Sequence, residues 1–272
     1  MAIKRIRGKQ TKASLGKHYD RLMDGVVNGG NDEVFETYLR AQSMFHLYSP
    51  RNVALILMQD ENATKVAGYT RWQDLGRQVQ KGEKGLYIMA PRFWKEKDEN
   101  GDETGRTVPS FWPVKVFDIR QTQGKPLPAM VNHLEESEDF LQAVIESYAV
   151  HDITFEEKTV YGGAYGFAKQ DRTIVLNSVS PHDTQASTAI HELAHVLMHM
   201  GDDCKLTSSI KELEAEAVAA VVMMHYGWDI TANSAAYIAN HMGDVSGFTN
   251  SMKRVQKTAL VVIEGIDEYL EE

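Results

Sequence analysis

The sequence predicts an α+β protein of two domains, and three observations predict it. A helical stretch, Ala189 to His199, carries His-Glu-x-x-His and is followed by a second apolar helix rich in glutamate. Two β-rich stretches, Leu86 to Pro91 and Phe111 to Ile119, sit in the first half among short helical segments. Charge is unevenly divided. Residues 1–130 hold 21 Lys and Arg against 15 Asp and Glu, a net of +6, whereas residues 131–272 hold 8 against 23, a net of −15. The change of sign falls at Gly124-Lys125-Pro126-Leu127-Pro128, which reads as a linker. The expected domains are 1–128, basic, and 129–272, acidic. Halves of opposite charge suggest different partners, the basic one suited to a polyanion and the acidic one repelling it.

Composition excludes several classes. Apolar content of 43% and charged content of 25% are those of a globular protein. No apolar run reaches the ~20 residues of a membrane helix. The N-terminus is basic without an apolar core, so no signal peptide is expected. Cys204 is the single cysteine, which rules out an intrachain disulfide and suits the reducing cytoplasm.

Taken in order, residues 1–12 form a basic arm. Leu15, Tyr19, Leu22, Met23 and Val26 have helical spacing, and Asn28-Gly29-Gly30-Asn31 breaks it. A second helix carries Val34, Tyr38, Leu39, Met44 and Phe45. Ser49-Pro50 starts a short, largely buried helix to Gln59. Thr70 is expected to cap another. Lys81 to Gly85 is a turn into the first β-rich stretch, and Lys95 to Arg106 reads as a flexible hairpin loop. In the second half Glu135 to Val150 is an amphipathic helix, Ile153 to Phe155 a strand, and Ala164 to Leu176 a hairpin. The motif helix follows, with Asp183 or Thr184 as its cap. Ala235 to His241 and Phe248 to Tyr269 are expected to be helical, the last with a solvated Lys253-Arg254-Lys257 face.

His191 and His195 lie one turn apart on one helical face, the spacing at which two imidazoles share one Zn²⁺. Glu192 can reach a metal-bound water as general base. With 10 histidines in 272 residues, chance supplies roughly 0.03 such matches. A third ligand is needed. Glu212 and Glu216 share a face of the next helix, and either can bind metal while the other hydrogen-bonds a ligand histidine. Ser209-x-x-Glu212 also reads as a capping box, which would occupy Glu212 with a backbone amide.

His191-Glu192-Leu193-Ala194-His195 followed by Glu212-Leu213-Glu214-Ala215-Glu216 resembles the gluzincin metallopeptidases, in particular the ImmA/IrrE-like group. The resemblance implies that Glu212 is the ligand and that Glu216 hydrogen-bonds a ligand histidine, with Glu216 the alternative ligand because this chain has Glu where the family often has Asp or Asn. It also implies that the strand before the motif helix is an edge on which an extended peptide aligns. The first half resembles the N-terminal domain of ArdC-like antirestriction proteins through Tyr48-Ser49-Pro50-Arg51-Asn52, Gly68-Tyr69 with Trp72, Gly82-Glu83-Lys84-Gly85 with Ala90-Pro91, and Val116-Phe117-Asp118 with Pro126-Leu127-Pro128. That family couples a single-stranded-DNA-binding domain to a zincin-like domain.

Single-strand binders combine cations with aromatic faces for stacking. Three of the four tryptophans, Trp72, Trp94 and Trp112, lie in the basic half. The candidates for DNA contact are Arg51, Arg71, Trp72, Arg77, Lys81 and Lys84. The expected function is thus an antirestriction-type protein that binds single-stranded DNA and hydrolyses a peptide of unknown identity with Zn²⁺ held by His191, His195 and Glu212, without membrane contact. Candidates for the oxyanion donor are Tyr226, His225, His199 and Tyr165. Two alternatives stay open: a DNA-protecting protein whose zinc site is structural or inactive, and an ImmA-like protease that cleaves one repressor-like partner.

Overall fold

The computed structural model describes residues 13–17, 19–20, 32–97, 102–127, 137–149, 152–200, 206–228 and 245–271. The basic arm, Asn28 to Asn31, Cys204 and the expected helix at Ala235 to His241 lie outside the described residues. The chain divides into two compact units, 1–22 with 51–128 and 23–50 with 129–272. The first segment of the chain is therefore shared between them, which a single cut at residue 128 does not capture. The reason lies in helix α1 (Asp32–Met44). Its Phe35, Tyr38 and Leu39 are buried, and the rings of Phe35 and Tyr38 pack at 5.8 and 6.3 Å from Phe248 of the second unit.

In the first unit, α2 (Pro50–Gln59) begins with proline at its first helical position and buries Val53 to Met58. Strands β1 (Val66–Gly68), β3 (Leu86–Lys97) and β4 (Glu103–Asp118) form an antiparallel sheet in the order β1-β4-β3. Helix α3 (Tyr69–Asp74) lies between β1 and the short β2 (Arg77–Val79), which pairs with β5 (Thr122–Gly124). Its N-cap is Gly68, not Thr70.

The exposed edge of β3 is closed by side chains. The Asn52 amide donates to the Met89 carbonyl at 3.0 Å and accepts from the Met89 amide at 2.9 Å. Gln59, two helical turns on, does the same for Tyr87 at 2.8 Å in both directions. These four bonds satisfy backbone groups that an edge strand leaves open.

Two expectations are corrected here. Lys95 to Arg106 is mostly strand, because the ladder continues to Lys97 opposite Glu103 with a register shift after Lys95. Gly124 belongs to β5 rather than to a linker. Its φ of 141° and its closeness to β2, where a Cβ would sit 2.4 Å from the Gly76 carbonyl, admit only glycine.

Strand β4 ends at Asp118, which is fully buried and accepts from the Thr64 amide at 2.7 Å and from the Arg120 amide and Nε at 2.9 and 2.6 Å. Burial would raise its carboxyl, but the hydrogen bonds from Arg120 and Thr64 outweigh it and hold the pKa below the usual carboxylate range. Its stabilising contribution is therefore complete above the ordinary carboxylate pKa and is lost as pH falls through the depressed one. Asp118→Ala is expected to cost on the order of 2–3 kcal/mol at pH 7 and to flatten the acid limb of the stability curve, as read by urea unfolding at several pH values.

The second unit holds a three-stranded sheet of order β6-β8-β7, made by β6 (Thr154–Lys158), β7 (Gly166–Ala168) and β8 (Thr173–Asn177). Strand β8 is parallel to β6 and antiparallel to β7. All five β8 residues are buried, as its central position requires. The strand that immediately precedes the motif helix is therefore central, and β7 provides the free edge beside that helix. Four helices pack around the sheet and one another: α4 (Ser137–Ala149), α5 (His182–Met198), α6 (Ser208–His225) and α7 (Val245–Glu271). Helix α6 is buried nearly all round from Leu213 to Met223 and so forms the core of the unit. Gly227, at φ 88°, ends it by accepting the left-handed turn. No helix among the described residues is long and apolar enough to cross a membrane.

Candidate metal centre and nucleic-acid interface

Helix α5 begins at His182 with Pro181 as N-cap and no side-chain cap, so neither Asp183 nor Thr184 caps it. It places His191 and His195 on one face, one turn apart. Helix α6 begins two residues earlier than the Ser209 capping box requires. Thr207 is the N-cap, and its side chain accepts from Ile210. That leaves Glu212 outside the cap and facing the histidines. His191, His195 and Glu212 are the three side chains among the described residues that converge as a metal-binding group.

The donor atoms form a triangle. His191 Nε2 and His195 Nε2 are 3.1 Å apart; His191 Nε2 is 3.5 Å from Glu212 Oε2 and His195 Nε2 is 3.5 Å from Glu212 Oε1. Ligands 2.0–2.1 Å from a tetrahedral Zn²⁺ stand about 3.3 Å from one another, so the spacing fits a divalent cation. The outer ring nitrogens have partners as well. His191 Nδ1 faces Glu216 at 3.2 Å, and His195 Nδ1 faces His199 Nδ1 at 3.0 Å. With Nδ1 of each ring donating outward, both Nε2 lone pairs point at the same space, an arrangement that a cation stabilises. Glu216 thus sits behind His191, while Glu212 faces both rings.

Electrostatics separate the two histidines. Burial would lower His191, but Glu216, Glu192 and Glu212 outweigh it and hold the ring above its ordinary pKa. Burial and the neighbouring His191 push His195 down. Burial raises the Glu192 carboxyl above the usual carboxylate range, with His191 and the donating Ala168 amide of β7 opposing in part. A carboxylate of raised pKa beside a metal site is suited to taking and returning a proton.

Glu192, His191 and Glu216 line a cleft of about 500 Å³, together with Tyr165 and Gly166 of the β7 edge. Of the four residues considered for the oxyanion, only Tyr165 lines this cleft. The Tyr226 hydroxyl donates to Asp267 and the Ile263 carbonyl on α7, and His225 contacts the Ser43 carbonyl. His199 is buried behind His195.

The solvated face expected at Lys253-Arg254-Lys257 is corrected at Arg254, which pairs with Glu214. Glu214 is completely buried, faces His199 Nε2 at 3.2 Å and accepts from Arg254 Nε at 3.1 Å and from Arg254 Nη2. Burial raises its carboxyl, and hydrogen bonds from His199, Arg254 and Ser251 more than offset this. The His199 spacing, one turn beyond His195, was the available signal in the sequence.

In the first unit the candidates for DNA contact separate. Arg71, Lys81 and Lys84 are exposed, and Arg51 is exposed with its guanidinium 5.2 Å from the Tyr19 ring. Trp72 is 2% exposed and donates from Nε1 to the Phe117 carbonyl at 2.8 Å, so no base can stack on it. Arg77 is tied to β5 through Thr122 Oγ1 at 2.8 Å and the Thr122 carbonyl at 3.2 Å. The available aromatics lie instead on the outer β3–β4 ladder. Phe93, Trp94, Phe111 and Trp112 are 47–68% exposed. Residues opposite one another share a face, so Trp94, Arg92 and Trp112 are on one side and Phe93 and Phe111 on the other. The Arg92 guanidinium stands 6.0 Å from the Trp112 ring. Neither Gly85 to Lys95 nor Thr104 to Phe117 contains an acidic residue.

Two separate stretches of the chain match known families. Residues 27–117 match the family described as the N-terminal domain of anti-restriction factor ArdC. Residues 146–228 match a peptidase family described as the IrrE N-terminal-like domain. An uncharacterized protein of Bacillus anthracis is 26% identical over 281 residues, covering 84% of this chain and 47% of its own length, so this chain spans about half of that relative. The crystal structure of antirestriction ArdC protein from R388 plasmid in its metal-free form superposes with a TM-score of 0.58 at 18% identity, covering 92% of this chain and 98% of that one. Its Mn(II)-bound form gives 0.56 at 17%, covering 93% and 97%. At these identities the likeness is one of fold. The chain thus carries a stretch similar to the N-terminal domain of the ArdC anti-restriction factor, followed by a stretch similar to the IrrE-like domain of the peptidase family.

Proposed function

We propose that this is an antirestriction-type protein whose second unit is a zinc-dependent peptidase and whose first unit binds single-stranded DNA. The observation that carries the peptidase reading is the donor triangle of His191, His195 and Glu212, with Glu192 beside it in an open cleft. Two imidazoles and one carboxylate are the ligand set of a catalytic zinc site that keeps a fourth position open. Bound there, the cation supplies Lewis-acid chemistry, polarising the scissile carbonyl and acidifying the attacking water. Glu192 takes the proton of that water and returns it to the departing amide nitrogen. Glu216 orients His191 through Nδ1. The β7 edge, which carries Gly166 at the cleft wall, aligns the peptide as an added strand.

Tyr165 is the one considered donor that lines the cleft, and is therefore assigned to the developing oxyanion. Tyr165→Phe is expected to lower kcat by about 10²-fold with little change in KM. Unchanged kcat removes Tyr165 from the mechanism. Hydrolysis of peptide libraries by the zinc-loaded protein, with Glu192→Gln as the inactive reference, tests the peptidase reading itself.

A second reading is favoured by the exposed aromatic ladder. The protein protects DNA by coating it, and its zinc site is structural. Aromatic faces interleaved with cations suit bases and phosphates together. DNA binding that survives Glu192→Gln, with no hydrolysis by the wild type, supports this reading over the first.

A further inference from the structure

Behind the donor triangle lies a chain of polar groups, buried at His199 and Glu214: His195 Nδ1 to His199 Nδ1 at 3.0 Å, His199 Nε2 to Glu214 at 3.2 Å, and Glu214 to Arg254. It joins three helices, α5, α6 and α7. Ser251 Oγ holds Arg254 Nη2 at 3.0 Å on the far side. The hydrogen-bond polarity of this chain is determined from its end. Glu214 is a carboxylate clamped by a guanidinium, so it can only accept. A neutral His199 must then carry its proton on Nε2, which leaves His199 Nδ1 bare. A bare Nδ1 accepts only from His195 Nδ1–H, and His195 Nε2 is thereby left as a lone pair facing His191 and Glu212. The opposite polarity would set two acceptors against each other at Glu214 and put a proton on His195 Nε2.

We propose that His199 and Glu214, clamped by Arg254, are positioning residues that select the metal-binding tautomer of His195 and hold its ring in place. The inference rests on the reading of His191, His195 and Glu212 as the metal-holding group. The two histidines are then supported differently. His191 has a half-exposed carboxylate, Glu216, directly behind it, whereas His195 reaches a fully buried one through a second imidazole. A buried, guanidinium-compensated carboxylate keeps one orientation, which suits it to fixing a ring two groups away.

The test uses the full chain with ¹⁵N-labelled histidine, metal-free. Long-range proton–nitrogen correlation reads which nitrogen of His195 carries the proton, and zinc titration against a competing chelator reads affinity. The wild type is expected to show the proton on Nδ1. In Glu214→Gln the new amide can donate to His199, which reverses the chain, so the proton moves to His195 Nε2 and zinc affinity falls about 10–100-fold. His199→Phe keeps the ring volume without the acceptor and is expected to lose affinity by the same factor, with its apo thermal melt recorded alongside. A wild-type His195 protonated on Nε2 overturns the proposal without any variant. So does a folded Glu214→Gln protein with unchanged tautomer and unchanged zinc affinity. A wild type that shows the Nδ1 tautomer yet binds no zinc sinks the metal reading and leaves the tautomer assignment standing.

Discussion

Glu192→Gln is expected to lower peptide hydrolysis by about 10²–10⁴-fold, the range that a positioned general base contributes. The amide keeps the size of the side chain and can still contact the Ala168 backbone, but it cannot take a proton. Glu192 is not one of the three converging donors, so zinc content is expected to equal that of the wild type. Its raised pKa gives the prediction a pH signature. A carboxyl lifted above the usual range must lose its proton before it can act, so the acid limb of kcat/KM is expected to lie above the ordinary glutamate pKa in the wild type and to vanish in the variant. Loss of zinc together with activity would assign Glu192 a structural role instead. Equal activity in both proteins would remove it from the chemistry.

The double change Trp94→Ala and Trp112→Ala is expected to weaken single-stranded DNA binding by about 1–3 kcal/mol for each base that stacks, with at most a small change in stability. Both rings lie about half in solvent on one face of the β3–β4 ladder, so truncation removes little buried area. Arg92, between them on that face, is expected to add a phosphate or stacking contact, and affinity is expected to fall steeply with salt. Trp72→Ala provides the contrast. It removes a buried ring and its hydrogen bond to Phe117, and is expected to cost about 3–5 kcal/mol of folding stability. Fluorescence anisotropy of labelled oligonucleotides, paired with urea unfolding, separates the two. Unchanged binding in the double variant would place the DNA surface elsewhere, with Arg71, Lys81 and Lys84 the next to test.

Much of the site was legible in one dimension because its information is local. His191 and His195 are four residues apart on one helix, and any helix brings them together. The change of charge sign and the β-rich stretches were equally readable. Which of Glu212 and Glu216 faces both histidines was not readable from spacing, because it depends on where α6 starts. Thr207 and Ser209 are both able to cap, and only packing chose Thr207, which turned Glu212 toward the histidines and left Glu216 behind His191.

The remaining differences have the same origin. Trp72 and Trp94 are the same residue type in similarly basic surroundings, and the sequence does not say that one is roofed by β4 while the other stands on a ladder with no layer over it. Helix α1 reads as part of the first half, yet its aromatic stripe finds Phe248 more than two hundred residues away. Glu214 lies between two carboxylates of the site and looks like a solvated charge until α7 brings Arg254 to it across forty residues. The sequence by itself determined the fold class and the histidine pair, since periodicity and composition act within one element. The tertiary structure alone decided which carboxylate faces the histidines, which aromatics are exposed and which polar groups are buried together, because burial and long-range pairing are properties of elements in contact.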